Sequence, residues 1–150
     1  MRKLTNGLLA LGLLIAVGFT SANAQDVTEQ DLRNYAIIEL AKNSIVDGIS
    51  PMVNDLIEKQ EGMTGQRFQE LQGTNGDKAK LAAIEAQDWE IQFLNLVNKQ
   101  IDKKKEAATD VVKLLAANAM GAAAYKATKA AISSNPDMKA KYEGYLASLQ

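Results

Sequence analysis

The chain has 150 residues, with 17 basic against 18 acidic side chains and neither histidine nor cysteine. That length allows one domain, and so even a charge balance gives no electrostatic reason to expect nucleic acid as a partner. Without histidine there is no His-assisted serine or cysteine nucleophile, and the commonest transition-metal ligand is missing. Without cysteine the fold must stand on its core alone, which a chain of this length can do.

The start of the chain differs from the rest. Arg2 and Lys3 precede an uncharged apolar run, Leu8 to Phe19, after which Ala22 and Ala24 stand at the spacing a signal peptidase reads. This order predicts a secretory leader over 1–24, cut before Gln25, and a single helical domain over 25–150. The apolar run is shorter than the roughly 20 residues that span a bilayer, which argues against a retained anchor. Gln25 rules out a lipid-modified N-terminal cysteine. No later run approaches spanning length, so the expected product is a mildly acidic, soluble, secreted or periplasmic protein.

Beyond the leader, alanine, lysine, glutamine, glutamate and leucine dominate, and only Pro51 and Pro136 interrupt. Helix is favoured throughout, since no β-branched run alternates with period two. Thr28 and Asp31 form a carboxylate variant of the capping box and start a first helix. Leu32, Tyr35, Ala36, Ile38, Ala41, Ile45 and Ile49 follow as its buried stripe. Ser50 before Pro51 reads as a new cap, so the rod either kinks there or a second helix runs on to about Gln60. Gly62, Gly65, Gly73 and Gly76 then mark turns around a short helix at Gln66–Leu71, and Thr74 with Asp77 suggests another capping box.

From Asp77 to about Asn118 there is neither proline nor glycine. Ile91, Leu94, Asn98, Ile101, Lys105, Ala108, Val112 and Leu115 recur three and four apart, widened by Trp89, Phe93 and Val97. The pattern predicts one uninterrupted helix of roughly 60 Å, packed antiparallel on the segment 28–60. A small alanine-rich helix over 122–132 follows. Ser134 or Asn135 then caps a last helix opened by Pro136, with Asp137 in its first turn. Met138, Tyr142, Tyr145, Leu146 and Leu149 share a face of this helix, which docks and closes one end of the bundle.

Two stretches echo one another. Met63 stands five residues before Phe68, as Met120 does before Tyr125, and Asn75–Leu81 parallels Asn135–Tyr142 with one residue extra. Chance matches in an alanine- and lysine-rich chain account for such an echo more readily than an internal pseudo-repeat, and both readings stay open. On these residues the stretch 119–149 resembles the closing motif of the domain-of-unknown-function 4168 family. Met120, Tyr125, Pro136, Asp137, Met138, Leu146 and Leu149 fall at that family's spacings, and "GMTGQRF" and "VTEQDLRNYA" upstream are similar too. Ala119 and Gly121 depart from it, standing where the family prefers glycine and a hydroxyl residue, so the second corner should be less sharply capped. The resemblance implies a short, secreted, all-helical bacterial protein; it carries no catalytic residues.

Candidate chemistry is sparse. Glu85 and Asp88 could face Glu39 across the bundle as a carboxylate metal site, but carboxylate sites in bundle cores pair glutamates with histidine. A solvated face is the expectation. Ser50, Ser133 and Ser134 fit helix caps better than nucleophiles. Lys99, Lys103, Lys104 and Lys105 could form a phosphate or headgroup patch, although Asp102, Glu106 and Asp110 suggest a solvated, salt-bridged face instead. The glycines lack a P-loop lysine. Met52, Met63, Met120 and Met138 read as core fillers rather than an adaptable binding surface. Tyr125, Tyr142 and Tyr145 read as the body of the end cap.

The expectation is therefore an all-α domain: a long kinked antiparallel hairpin closed by short C-terminal helices. It is expected to have no catalytic residues, no cofactor and no metal. It would act through protein-protein contacts in the cell envelope or self-association. The alternatives are a chaperone-like holder of unfolded clients and, more remotely, a hydrolase with an unrecognised site.

Overall fold

The computed structural model describes residues 26–150, so the expected leader lies outside the described residues. The elements within them are all helical: α1 Glu29–Asp47, α2 Ile49–Lys59, α3 Gly65–Gly73, α4 Lys78–Ala83, α5 Asp88–Ala119, α6 Ala122–Ser134 and α7 Pro136–Leu149. The frame is one bent rod, α1 with α2, lying antiparallel along α5. Near the start of α1, the Asn34 side-chain amide donates to the Ala119 carbonyl at the end of α5, at 3.0 Å. At the other end, Leu56 and Gln60 flank Trp89. The expected hairpin is thus present, but short helices close both of its ends, α3 and α4 at one and α6 and α7 at the other. No described helix is long and apolar enough to cross a membrane.

Local chemistry explains most boundaries. Thr28 Oγ1 accepts from the Asp31 N–H at 3.1 Å, while the Asp31 carboxylate accepts from the Thr28 N–H at 3.0 Å, completing the expected box. Asn135 caps α7 through Oδ1, which accepts from the N–H groups of Asp137 and Met138, and Pro136 is the first helical residue. The bend comes one turn before the expected place. Pro51 has no N–H, and its ring crowds the carbonyl four residues back, that of Asp47. The helix yields there, at Asp47 and Gly48, and resumes at Ile49 with Gly48 still right-handed at φ −72°. Ser50 is consequently not a cap but lies inside α2. Ser133 and Ser134 are not caps either; each donates to a carbonyl four residues back within α6. Nor do Thr74 and Asp77 form a box. Thr74 ends α3, and Asp77 alone caps α4 by accepting from the Lys80 N–H.

The expected uninterrupted helix from Asp77 is broken despite lacking glycine and proline. The Ala86 N–H bonds to the Leu81 carbonyl and the Glu85 N–H to that of Ala82, the paired bonds of a Schellman ending. Glu85 takes the left-handed position that glycine usually fills, with φ +51°. Leu81 and Ala86 supply the apolar contact that accompanies such an ending, as both belong to one hydrophobic cluster. The Gln87 N–H then donates to the Glu90 carboxylate at 2.8 Å, one limb of a capping box, as α5 begins. At 32 residues α5 is about 48 Å long, shorter than the sequence suggested.

The two halves repeat one plan: long rod, methionine corner, two short helices. Phe68 is the fourth residue of α3 and Tyr125 the fourth of α6. Each packs on an aromatic of the opposite rod, Phe68 on Phe93 with centroids 6.0 Å apart and Tyr125 on Tyr35 at 5.0 Å. Leu32, Tyr35, Ala36 and Glu39 are buried along α1 at the same spacing as Glu90, Phe93, Leu94 and Val97 along α5. The echo in the sequence is therefore an echo in architecture. It gives two cores: one around Met63, Phe68, Leu71, Leu81, Phe93, Leu94 and Val97, the other where Tyr35 meets Tyr125 and Tyr142. The second corner is capped less sharply, as expected. Thr64 caps α3 by accepting from the Arg67 N–H, whereas Gly121 takes that position in α6 with φ +83° and no side-chain cap.

Candidate functional site

A groove of about 490 Å³ runs where α1, α5 and α6 meet. Helical spacing puts Tyr35, Glu39, Lys42 and Val46 along its α1 wall and Lys105, Ala108, Val112 and Lys113 along α5. Tyr125 and Lys129, one turn apart, complete it from α6. The lining thus carries four lysines and a single carboxylate. That carboxylate, Glu39, is nearly buried; it accepts from the Tyr125 hydroxyl at 2.9 Å and pairs with Lys42. Lys113 pairs with Asp110 at 3.2 Å. Among the described residues, Lys105 and Lys129 have no carboxylate within ion-pair distance.

Burial dominates the ionisation of the phenols behind this groove. It pushes Tyr125 up to about 12, with the Glu39 hydrogen bond and charge adding to it. Tyr35 rises further, first through burial and then through the Glu39 charge, and Tyr142 rises for the same two reasons. All three stay protonated at any physiological pH, so they serve as hydrogen-bond donors and apolar surface, not as bases. Tyr142 meets Tyr35 edge-on at 5.5 Å, and the Arg33 guanidinium lies over Tyr145 at 5.5 Å. The tyrosines thus form the body of the end cap, centred on Tyr35, which the sequence marked only as one residue of a stripe.

The other half carries a different buried carboxylate. Glu90 accepts from Arg67 Nε at 2.7 Å and Nη2 at 2.8 Å, and from the Gln87 N–H at 2.8 Å. These bonds, the Arg67 pair first, hold it below the ordinary carboxylate value despite its burial. A fork of this geometry locks α3 against the start of α5. No sequence signal pointed to it, because the partners are 23 residues apart on different helices.

The remaining candidate residues separate. Glu85 lies in the turn before α5 and Asp88 opens that helix, whereas Glu39 faces Ala108, some 30 Å further along α5. They do not converge, and no described group of three or more acidic side chains is placed to hold a metal. Lys99, Lys103, Lys104 and Lys105 are exposed, so that face is solvated as expected, but none of them forms an ion pair with a described residue. Met63 is buried in the first core, while Met52, Met120 and Met138 are half-buried. Of the residues that carry the family resemblance, Met120 ends α5, Tyr125 sits beside Glu39, and Pro136, Asp137 and Met138 build the capped first turn of α7. Leu146 is half-buried, but Leu149, the last residue of α7, is 44% exposed.

A second surface lies on the outer face of α5. Leu96 and Leu114 stand about five turns apart on that face and are 49% and 62% exposed. Leu96 also edges a depression of about 380 Å³ lined with Leu56, Trp89 and Phe93. Comparison of the chain with family models, curated proteins and solved structures finds no match.

Proposed function

We propose that this is a non-catalytic helical protein of the cell envelope that acts by binding a partner protein along the outer face of α5. One observation carries the reading: Leu96 and Leu114 stand exposed on one line of the 32-residue α5, and Leu96 borders a depression lined by the half-buried Trp89. Aromatic residues such as Trp89 are enriched at the energetic centre of protein interfaces, and exposed leucines beside them supply apolar area that a partner can bury. The leader-like start of the chain and its resemblance to the domain-of-unknown-function 4168 family support placing that partner in the periplasm or outside the cell.

The test is photo-crosslinking in living cells with the probe at Ala107, between the two leucines. A single adduct of defined mass, lost when Leu114→Asp is introduced, is the expected result. A diffuse ladder that grows under envelope stress would replace the dedicated partner with a holder of unfolded clients. An absence of adducts would overturn the binding face itself.

A further inference from the structure

The repeated architecture supplies an internal control for the lysine-lined groove. Its counterpart lies where α2, α5 and α3 meet, a groove of about 290 Å³. Phe68 stands there in the place of Tyr125, and Gln72, the eighth residue of α3, in the place of Lys129, the eighth of α6. The α2 and α5 walls supply Val53, Ile57 and Ile101 with the neutral polar residues Ser50 and Asn54. No ionisable side chain lines that groove, whereas four lysines and Glu39 line the first. Packing three helices at this junction therefore requires no charge.

The lysines are not satisfied by the fold either. Glu39 and Asp110 each pair with one of them, which leaves Lys105 and Lys129 facing the same groove from different helices without described partners. Like charges around a concavity repel, and an uncompensated cluster focuses a field that attracts anions. The surface between them is apolar and aromatic, made of Tyr35, Val46, Ala108 and Val112. Cations at the rim over an apolar floor suit one kind of ligand. Lysine also recognises charge without demanding the fixed fork geometry of an arginine site, so carboxylate, sulfonate and phosphate are all acceptable heads.

We propose that the groove between α1, α5 and α6 binds an organic anion whose single carboxylate, sulfonate or phosphate head rests among Lys105, Lys113 and Lys129 while its apolar body covers Tyr35 and Val112. This site is independent of the outer face of α5, and either can fail without the other.

The experiment titrates the purified protein with 1-anilinonaphthalene-8-sulfonate by fluorescence and with decyl phosphate, below its micelle concentration, by calorimetry. Saturable one-to-one binding of both, in competition, is expected. Lys105→Gln with Lys129→Gln removes the two lysines that lack partners and orphans no carboxylate. It should weaken both ligands roughly tenfold, the worth of two partly solvated charge pairs, with the unfolding temperature unchanged. Lys99→Gln with Lys103→Gln makes the same charge change on α5 outside the groove and should leave affinity within about twofold. Equal loss in the two double variants would reduce the effect to overall charge and overturn the site. Wild-type affinity in the first double variant, or no saturable binding, would overturn it as well. Sedimentation with phosphatidylglycerol vesicles that needs Lys105 and Lys129 would assign the same anionic head to a bilayer lipid; binding of decyl phosphate without sedimentation assigns a free amphiphile.

Discussion

Thr128 is the seventh residue of α6, the place that Leu71 holds in α3, and both are fully buried. Leu71 is apolar, but the Thr128 hydroxyl has no hydrogen-bond partner among the described residues. A hydroxyl buried without a partner costs about 1–3 kcal/mol relative to an apolar group of the same shape. Valine has that shape and is likewise β-branched, so Thr128→Val changes neither helix propensity nor rotamer freedom appreciably. The substitution should therefore raise stability by about 1–2 kcal/mol, equivalent to about 3–8 °C in the unfolding temperature of a domain this size. Thermal and urea unfolding followed by circular dichroism at the helix band would measure it, with Thr109→Val as a comparison at an exposed position. An unchanged or lowered midpoint in Thr128→Val would show that the hydroxyl is satisfied in solution and would refute the reasoning.

Two further predictions concern the other half of the molecule. Arg67 holds the Glu90 carboxyl below its ordinary value of 4.5, so the pair's contribution to stability is present above that value and lost as pH falls through the lower folded one. Urea midpoints should accordingly fall more steeply from about pH 5 to pH 3 in the wild type than in Glu90→Gln; parallel curves would deny the linkage. Glu85→Gly should stabilise by about 0.5–1 kcal/mol by relieving the left-handed backbone, net of the freedom glycine adds to the unfolded chain. Glu85→Ala should give no gain in the same unfolding assay, and equal effects of the two would place the cause in the side chain instead.

Much of this architecture was legible because its signals are local. Thr28 with Asp31 and Asn135 with Pro136 announce helix starts within four residues, and the burial spacing of α1 follows from its periodicity. The break at Glu85 was not legible. The signal sought at a helix end is a glycine, and there the position is held by a glutamate whose cost the Leu81 and Ala86 contact offsets. Pro51 was seen, but its effect falls on the carbonyl four residues back, which moved the bend to Asp47. The grooves were least legible of all. Lys42, Lys105, Lys113 and Lys129 belong to three helices, and in the sequence Lys105 was grouped with its neighbours Lys103 and Lys104 rather than with Lys129. Charge runs describe one helix surface, whereas a groove is a property of how helices meet.

The crossed arrangement of the short helices also sets an order of assembly. The core around Met63 and Phe93 is drawn from one continuous segment, Val53 to Ile101. Its closing contacts are short in sequence and carry a small loop-closure entropy. Tyr35, by contrast, meets Tyr125 and Tyr142 only by closing nearly the whole chain into a ring. During synthesis from the N-terminus, α1 therefore precedes the other described helices and finds its full set of neighbours last. Until α7 arrives, Tyr35 remains without Tyr142, and the first of the described helices is the one most dependent on the last.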